Sequence, residues 1–241
     1  MTLPPGCPRL SRLSGDALDA AILELARRYP LAGDDDAIVA RALAYPYLPP
    51  HRSFALGDGG EGRHVVLAYG ANGAAEVLRR KLGQEARLTV RAGTLHDFDV
   101  VYSSHISAYG AIPSTLHPAP GAAVPVFALL LDDDHLVRLI ETEFNYSVQR
   151  LSDLAFEHAD TAIVFVSRHS ALGITGAPIR LADMGQREVQ ALVRDRLAPE
   201  ETEAQFILGN VRDHARAVAF TALLRREGIP FAAPGAVVLD V

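Results

Sequence analysis

A β-branched, apolar run, His64 to Ala68, leads directly into Tyr69-Gly70-Ala71-Asn72, and a helical pattern follows at once. A buried strand that ends in a glycine turn and opens a helix restricts the chain to architectures layering helices on a sheet. It also leaves free backbone N–H groups at the turn, where an anion is favoured. The plain reading of the same four residues is conformational, with Gly70 permitting an unusual backbone angle and Asn72 capping the next helix.

The remaining segments are read by whether they assemble around this turn. The chain has 241 residues, enough to bury on the order of 70% of its unfolded surface in one or two units. Its net charge of −6 argues against nucleic acid and anionic membrane as partners. The densest basic run, Arg79-Arg80-Lys81, falls at a helix end, where cations are favoured anyway. Cys7 is the only cysteine, which excludes an intrachain disulfide and a Cys-rich metal site. Met1 to Gly6 lacks the basic start and apolar core of a signal peptide, and no apolar run approaches membrane-spanning length. The expectation is a soluble, cytoplasmic protein.

Residues 1–13 are Pro-rich and irregular. Ser14 caps a helix over about 15–29 that buries Leu18, Ile22, Leu25 and Tyr29 and ends at Pro30. Asp34-Asp35-Asp36 supplies first-turn charge to a short helix, which Tyr45-Pro46-Tyr47-Leu48-Pro49-Pro50 breaks. The glycines of 57–62 read as a flexible linker. A helix over 73–82 then stops at Gly83, and strands are expected at 87–91 and 94–102. A polar, glycine-bearing segment runs from Ser103 to Leu116, Pro118-Ala119-Pro120-Gly121 reads as a turn, and Val124 to Leu131 as a buried strand. Asp132-Asp133-Asp134 opens a helix that finishes at Glu141-Thr142-Glu143, and strands follow at 146–151 and 161–167. Beyond Gly185 the pattern is helical over 186–197, and then in one long helix from Pro199 to about Arg226 with Val211, Ala215, Val218 and Leu223 on its buried side.

Glu141 and Glu143 are unusual, because the C-terminal end of a helix disfavours negative charge. Burial of a carboxylate disfavours its charged form and suits it to proton transfer; the plain alternative is two solvated surface acids. Nine histidines invite a metal, yet no HExxH occurs and no pair is matched with cysteine ligands. His105, in the polar segment, is placed to line a site, and His117 to sit in a turn. Ser103, Ser104 and Ser107 lack the strand–GxSxG–helix context of a hydrolase nucleophile. Neither a GxxxxGK(S/T) nor a GxGxxG loop is present. No cofactor is expected.

Taken in order, these pieces resemble the γ-glutamylcyclotransferase-like family over roughly residues 64–151. That family opens its core with a strand ending in Tyr-Gly-Ser-Asn, where this chain has Tyr69-Gly70-Ala71-Asn72. It continues with a strand of the form x-Leu-x-Asp-Phe, matched by Thr94 to Asp99, and a Gly-containing segment ending in Ala-Thr, matched by Tyr109 to Thr115. A Pro-x-Pro-Gly turn and Val-rich strand follow, here Pro118 to Leu131. A helix ending in Leu-Asp-x-x-Glu-Gly, then a Tyr and a strand, correspond to Leu139 to Phe144 and Tyr146. Ala71 stands in place of the family's Ser, Ile140 of its Asp, and Phe144 of the Gly after the glutamate.

The resemblance implies an α+β fold with a mixed β-barrel core over 63–167, a helical N-terminal extension over 1–62 and a helical C-terminal extension over 168–241. It implies conversion of a γ-glutamyl amine or peptide to 5-oxoproline and free amine, with Glu143 as general acid/base. Tyr69, Gly70, Ala71 and Asn72 would contact the substrate, with Gly110, Ser114, Thr115 and Tyr146 lining the other wall. Such an intramolecular aminolysis needs neither a protein nucleophile nor a metal, because both reacting groups sit on one substrate. The alternative is a non-catalytic small-molecule binding or interaction module on the same fold, and a third reading gives the helical ends a homodimer interface.

Overall fold

The computed structural model describes residues 13, 15–27, 33–47 and 49–239. Cys7, the Ser14 cap, Tyr29 and Pro30 lie outside the described residues. Helices α1 (Gly15–Ala26) and α2 (Asp35–Leu43) come first, the second capped by the Asp34 side chain, which accepts from Ala37 N–H at 2.9 Å. There follow β1 (Phe54–Leu56), β2 (His64–Ala68), a 3-10 turn (Ala71–Gly73), α3 (Ala75–Leu82), β3 (Leu88–Tyr102) and β4 (Ser114–Leu131). Then come α4 (Asp133–Glu141), β5 (Tyr146–Ser152), β6 (Thr161–Ser167), α5 (Gln186–Leu197), α6 (Glu203–Arg212), α7 (His214–Arg225) and β7 (Val237–Val238).

The strands form one mixed sheet in the order β1-β3-β4-β2-β6-β5-β7, with β2 and β6 parallel and every other pair antiparallel. The expected barrel is therefore corrected to an open sheet. Its edges are β1, three residues long, and β7, two residues long, and they pair with β3 and β5 rather than with each other. Very short edge strands offer little unpaired backbone to a second chain.

β2 is apolar from Val65 to Ala68 because both faces of the sheet are covered. Val66 packs on one side with Leu78, Leu82, Leu136 and Leu139 of α3 and α4. Leu67, pointing the other way, joins Leu95, Leu151 and Phe156. A third cluster joins Tyr102 and Ile112 to Val189 and Val193 of α5 and to Phe206 of α6.

Four local readings need correction. The two strands expected at 87–91 and 94–102 are the single strand β3, which begins at Leu88, and Pro118 to Gly121 lie inside β4, with Pro118 opposite Phe98 and His117 opposite Asp99. Prolines survive there because β2 pairs only with residues 127–131 of β4, so one edge of the 118–125 stretch has no ladder to break. A register shift between His96 and Phe98 absorbs the irregularity, and Gly121 N–H donates to the Asp97 carboxylate at 2.8 Å. The 57–62 glycines run beside β3 and are tied to it, Thr89 N–H donating to Gly60 C=O at 3.2 Å. The long C-terminal helix is two helices, broken at Asp213, whose carboxylate accepts from Ala215 and Arg216 N–H and starts α7. The break resets the helical phase, so Ala217, Thr221 and Leu224 are buried, while Ala215 and Leu223 are exposed.

Helix α2 is held on α6. Ile38 and Ala42 pack against Ile207 and Val211, and Arg212 pairs with Asp35 at the exposed end. This contact fixes where Tyr45, just past the α2 C-cap Ala44, enters the molecule. No helix of the described residues is long and apolar enough to cross a membrane.

Candidate active site

The turn after β2 is pinned from its strand side. The Tyr69 phenol donates to the Phe165 carbonyl of the adjacent β6. Gly70 then lets the chain pass tightly: a Cβ there would lie 2.8 Å from both Ser114 Oγ and the Tyr45 phenol oxygen. The 3-10 turn closes with Gly73 N–H on Gly70 C=O at 2.9 Å, and no acceptor among the described residues meets the N–H groups of Ala71 and Asn72.

Asn72 does not cap α3, whose N-cap is Ala74 with no side-chain bond. Its amide instead donates to Glu143 Oε1 at 2.8 Å, while its carbonyl oxygen accepts from Lys81 Nζ at 2.8 Å. Lys81 also reaches Glu143 Oε1 directly, closing a three-residue ring of hydrogen bonds. Glu143 Oε2 carries no hydrogen bond from any described residue.

Glu143 reaches this position because α4 ends two residues earlier. Thr142 caps the helix, Glu143 N–H donates to Ile140 C=O at 3.0 Å, and the chain turns inward to begin β5. Arg138 donates to Leu82 C=O at 2.9 Å, tying α4 to the end of α3 and setting Lys81 opposite the carboxylate. Glu143 is 9% exposed, whereas Glu141 remains on the surface.

Two phenols, Tyr45 and Tyr146, bind Ser114. Ser114 N–H donates to the Tyr45 oxygen at 2.8 Å, the two hydroxyls lie 2.7 Å apart, and Tyr146 OH donates to Ser114 C=O at 2.9 Å. Burial pushes the Tyr45 phenol up to about 12, and burial likewise raises Tyr69 and Tyr146, so all three are neutral hydrogen-bonding groups at physiological pH. His105 is 1% exposed, with Nδ1 2.7 Å from Ser103 Oγ and its ring centroid 4.8 Å from that of His169. Desolvation lowers His105 well below the usual histidine range and takes His169 to about 3, leaving both uncharged.

Tyr45, Tyr69, Asn72, Lys81, His105, Ser114, Glu143 and Tyr146 line one cavity of about 580 Å³, within the size range of small-molecule sites. Of the residues expected at the site, Tyr69, Gly70, Ala71, Asn72, Ser114, Glu143 and Tyr146 line it, as does His105. Gly110 and Thr115 do not. A Cβ on Gly110 would lie 2.7 Å from Val211 Cγ2 of α6, and Thr115 Oγ1 accepts from Ser167 N–H at 3.0 Å inside the sheet.

The residues the sequence reading passed over are Lys81, Arg41, Tyr45, Tyr47 and Tyr109, all on the cavity wall. Lys81 had a local signal, since it follows Val77 by four positions and so shares a helix face with a core residue. Arg41, Tyr45 and Tyr47 had none, because α2 is brought there by its contact with α6, whereas Tyr109 begins the 109–115 segment already matched to the family. Among the described residues, no group of three or more His, Cys, Asp or Glu side chains is arranged to hold a metal ion.

Neither a scan against protein-family models nor searches of curated proteins and solved structures finds a match to this chain.

Proposed function

We propose that the protein is a γ-glutamyl cyclotransferase, releasing 5-oxoproline and an amine from a γ-glutamyl amine or peptide. The observation that carries the proposal is the convergence of Glu143 and the 70–72 turn on one cavity, joined by the Asn72–Glu143 hydrogen bond.

The reaction joins the substrate's α-nitrogen to its γ-carbonyl carbon and breaks the γ-carbon–nitrogen bond. Glu143 Oε2 takes a proton from the α-ammonium, and the freed amine attacks the γ-carbonyl. The same oxygen then delivers that proton to the departing nitrogen and takes the second proton from the attacking nitrogen. The tetrahedral intermediate collapses to the lactam and expels the amine, which receives that second proton as it leaves. The free N–H groups of Ala71 and Asn72 are placed to bind the α-carboxylate or the developing oxyanion. Asn72 and Lys81, both on Oε1, fix the carboxylate's orientation and leave Oε2 as its working atom. Folding one substrate into a ring-like pose supplies much of the rate gain, so a single proton shuttle is sufficient.

The test is 5-oxoproline release from a panel of γ-glutamyl amines and peptides by wild type and Glu143→Gln. A shuttle of this kind contributes about 10²–10⁴-fold, and the variant should fall by that order while still binding L-glutamate. Equal turnover by both proteins removes Glu143 from the chemistry. Binding of L-glutamate with no turnover of any member points to the non-catalytic binding module instead.

A further inference from the structure

Two buried histidines stand at the cavity wall, and the chemistry proposed above uses neither. His105 and His169 are each 1% exposed, yet His105 lines the cavity. The turn that presents Glu143 holds them both. Asn145 Oδ1 lies 3.1 Å from His169 Nε2, and the Tyr146 ring stands edge-on to the His105 ring, with centroids 5.8 Å apart. Tyr146 N–H in turn donates to Glu143 C=O at 2.8 Å, so one short segment of backbone carries the carboxylate and supports the imidazole.

The partners of His105 fix which nitrogen carries its hydrogen. His169 N–H donates to Ser167 Oγ at 3.0 Å, and the one acceptor that the Ser167 hydroxyl meets among the described residues is Ser103 Oγ, 2.6 Å away. Ser103 receives that hydrogen, and its own hydroxyl has two remaining acceptors: His105 Nδ1 at 2.7 Å and Ser170 C=O at 3.4 Å. The second distance is long for a hydroxyl donor, and Ser170 C=O already accepts from Ser104 N–H at 3.1 Å. With Nδ1 an acceptor, the neutral ring carries its hydrogen on Nε2. That nitrogen has no hydrogen bond with any described residue. It is also not one of the polar atoms sealed in the interior without a partner, as His169 Nδ1 is, and so it opens on the cavity.

A bound γ-glutamyl group brings two sets of oxygens that need donors. The α-carboxylate is fully charged and suits the N–H groups of Ala71 and Asn72 at the turn. The γ-carbonyl oxygen is neutral at first and becomes negative only as the amine adds. A neutral donor already fixed in place favours that oxygen most in the transition state.

We propose that His105 is a catalytic hydrogen-bond donor, its Nε2–H binding the γ-carbonyl oxygen and stabilising the oxyanion formed there, with Ser103 and Ser167 as positioning residues that hold the ring in this tautomer. No proton leaves the imidazole; Glu143 moves the protons. The proposal rests on the cyclotransferase reading for the identity of that oxygen, and on its own residues for the direction of the donor.

Three measurements test it. Nitrogen-15 NMR of the wild-type protein, which stands whether or not a variant folds, should show His105 as the Nε2–H tautomer at neutral pH. Its Nε2 resonance should move as 5-oxoproline binds, and in Ser103→Ala the hydrogen should be shared between the two nitrogens. An Nδ1–H ring in wild type, or an unmoved resonance at saturation, overturns the assignment. Calorimetry compares 5-oxoproline, whose lactam oxygen is the former γ-carbonyl oxygen, with cyclopentanecarboxylate, which lacks it. His105→Phe should weaken the first at least tenfold and leave the second within twofold. On a γ-glutamyl amide that wild type turns over, His105→Phe should lower kcat/KM on the order of 10²-fold, mostly in kcat, as the loss of one oxyanion donor does. His105→Gln, which keeps an N–H near the same place, should recover at least tenfold of that. Selective weakening of 5-oxoproline with no turnover of any γ-glutamyl amide by wild type upholds the donor and removes the cyclotransferase reading. Turnover and 5-oxoproline affinity of His105→Phe within twofold of wild type overturn the donor and leave the cyclotransferase standing.

Discussion

Asn72 and Glu143 are 71 positions apart in sequence and 2.8 Å apart in space, the amide of one donating to the carboxylate of the other. The contact joins the turn that follows β2 to the turn that follows α4, and Lys81 completes it from α3. Asn72 is thus a positioning residue for the carboxylate. Asn72→Ala should lower kcat about 10- to 100-fold, since a misplacement of 1 Å at a reacting group costs about that much. Initial-rate measurements on any turned-over γ-glutamyl amide check this, and a kcat within twofold of wild type would show that Lys81 alone orients Glu143.

Gly70→Ala tests the tight passage of the turn. The added methyl would meet Ser114 Oγ and the Tyr45 oxygen at 2.8 Å each, so the hydrogen bond between those hydroxyls has to open. Turnover should fall at least tenfold, and the loss of order around Tyr45 should be visible in tyrosine near-ultraviolet circular dichroism, which no tryptophan obscures.

Gly110→Ala acts on the scaffold. Gly110 has φ of +85°, and a Cβ would come 2.7 Å from Val211 Cγ2 and 3.1 Å from Ile207 Cγ2 on α6. Backbone strain and overpacking together should destabilise the fold by about 1–3 kcal/mol in urea unfolding. The KM of the folded fraction should change little, because Gly110 is not on the cavity wall.

Tyr45→Phe removes the acceptor of the buried Ser114 N–H together with the partner of the Ser114 hydroxyl. Leaving a buried donor unpaired costs about 1–3 kcal/mol. Denaturant midpoints of wild type and variant measure it, and Tyr47→Phe, whose phenol binds a carbonyl at a half-buried position, should cost less.

Acid should destabilise the protein before its carboxylates titrate. His169 is held near 3 in the folded chain against an ordinary value of about 6.5, mainly by desolvation, and desolvation lowers His105 too. Between those values the unfolded chain binds protons that the folded chain refuses, so stability rises with pH there. The stabilisation is complete above about 6.5 and is lost as pH falls toward 3, with a slope approaching about 1.4 kcal/mol per pH unit for each histidine. Urea titrations at pH 7, 6 and 5 should show this slope, reduced in His169→Gln; a flat profile would mean that the histidines protonate freely in the native state.

The parts of this fold that a linear reading captures are those whose signal is local. The apolar runs of β2 and β6 and the aspartates opening α2 and α4 lie where the pattern puts them. Glu143 stood out because a carboxylate is misplaced at a helix end. Other features follow from partners far along the chain. Pro118 and Pro125 suit a strand because their free edge has no partner, which no local pattern records. Asp213 ends one helix and caps the next, so a phase extrapolated through it buries the wrong residues. Tyr45 reaches the site because Ala42 packs on Ile207, 165 positions later.

That last contact has a consequence for synthesis. Asn72, Lys81, Ser114 and Glu143 have all been translated well before α6, yet Tyr45 and Tyr47 on the facing wall follow a helix, α2, that packs on α6. A nascent chain stalled before residue 203 contains Glu143 and Asn72 but lacks the helix on which α2 packs. The cavity therefore closes late, when about the last sixth of the polypeptide folds back onto a segment near the first residues made.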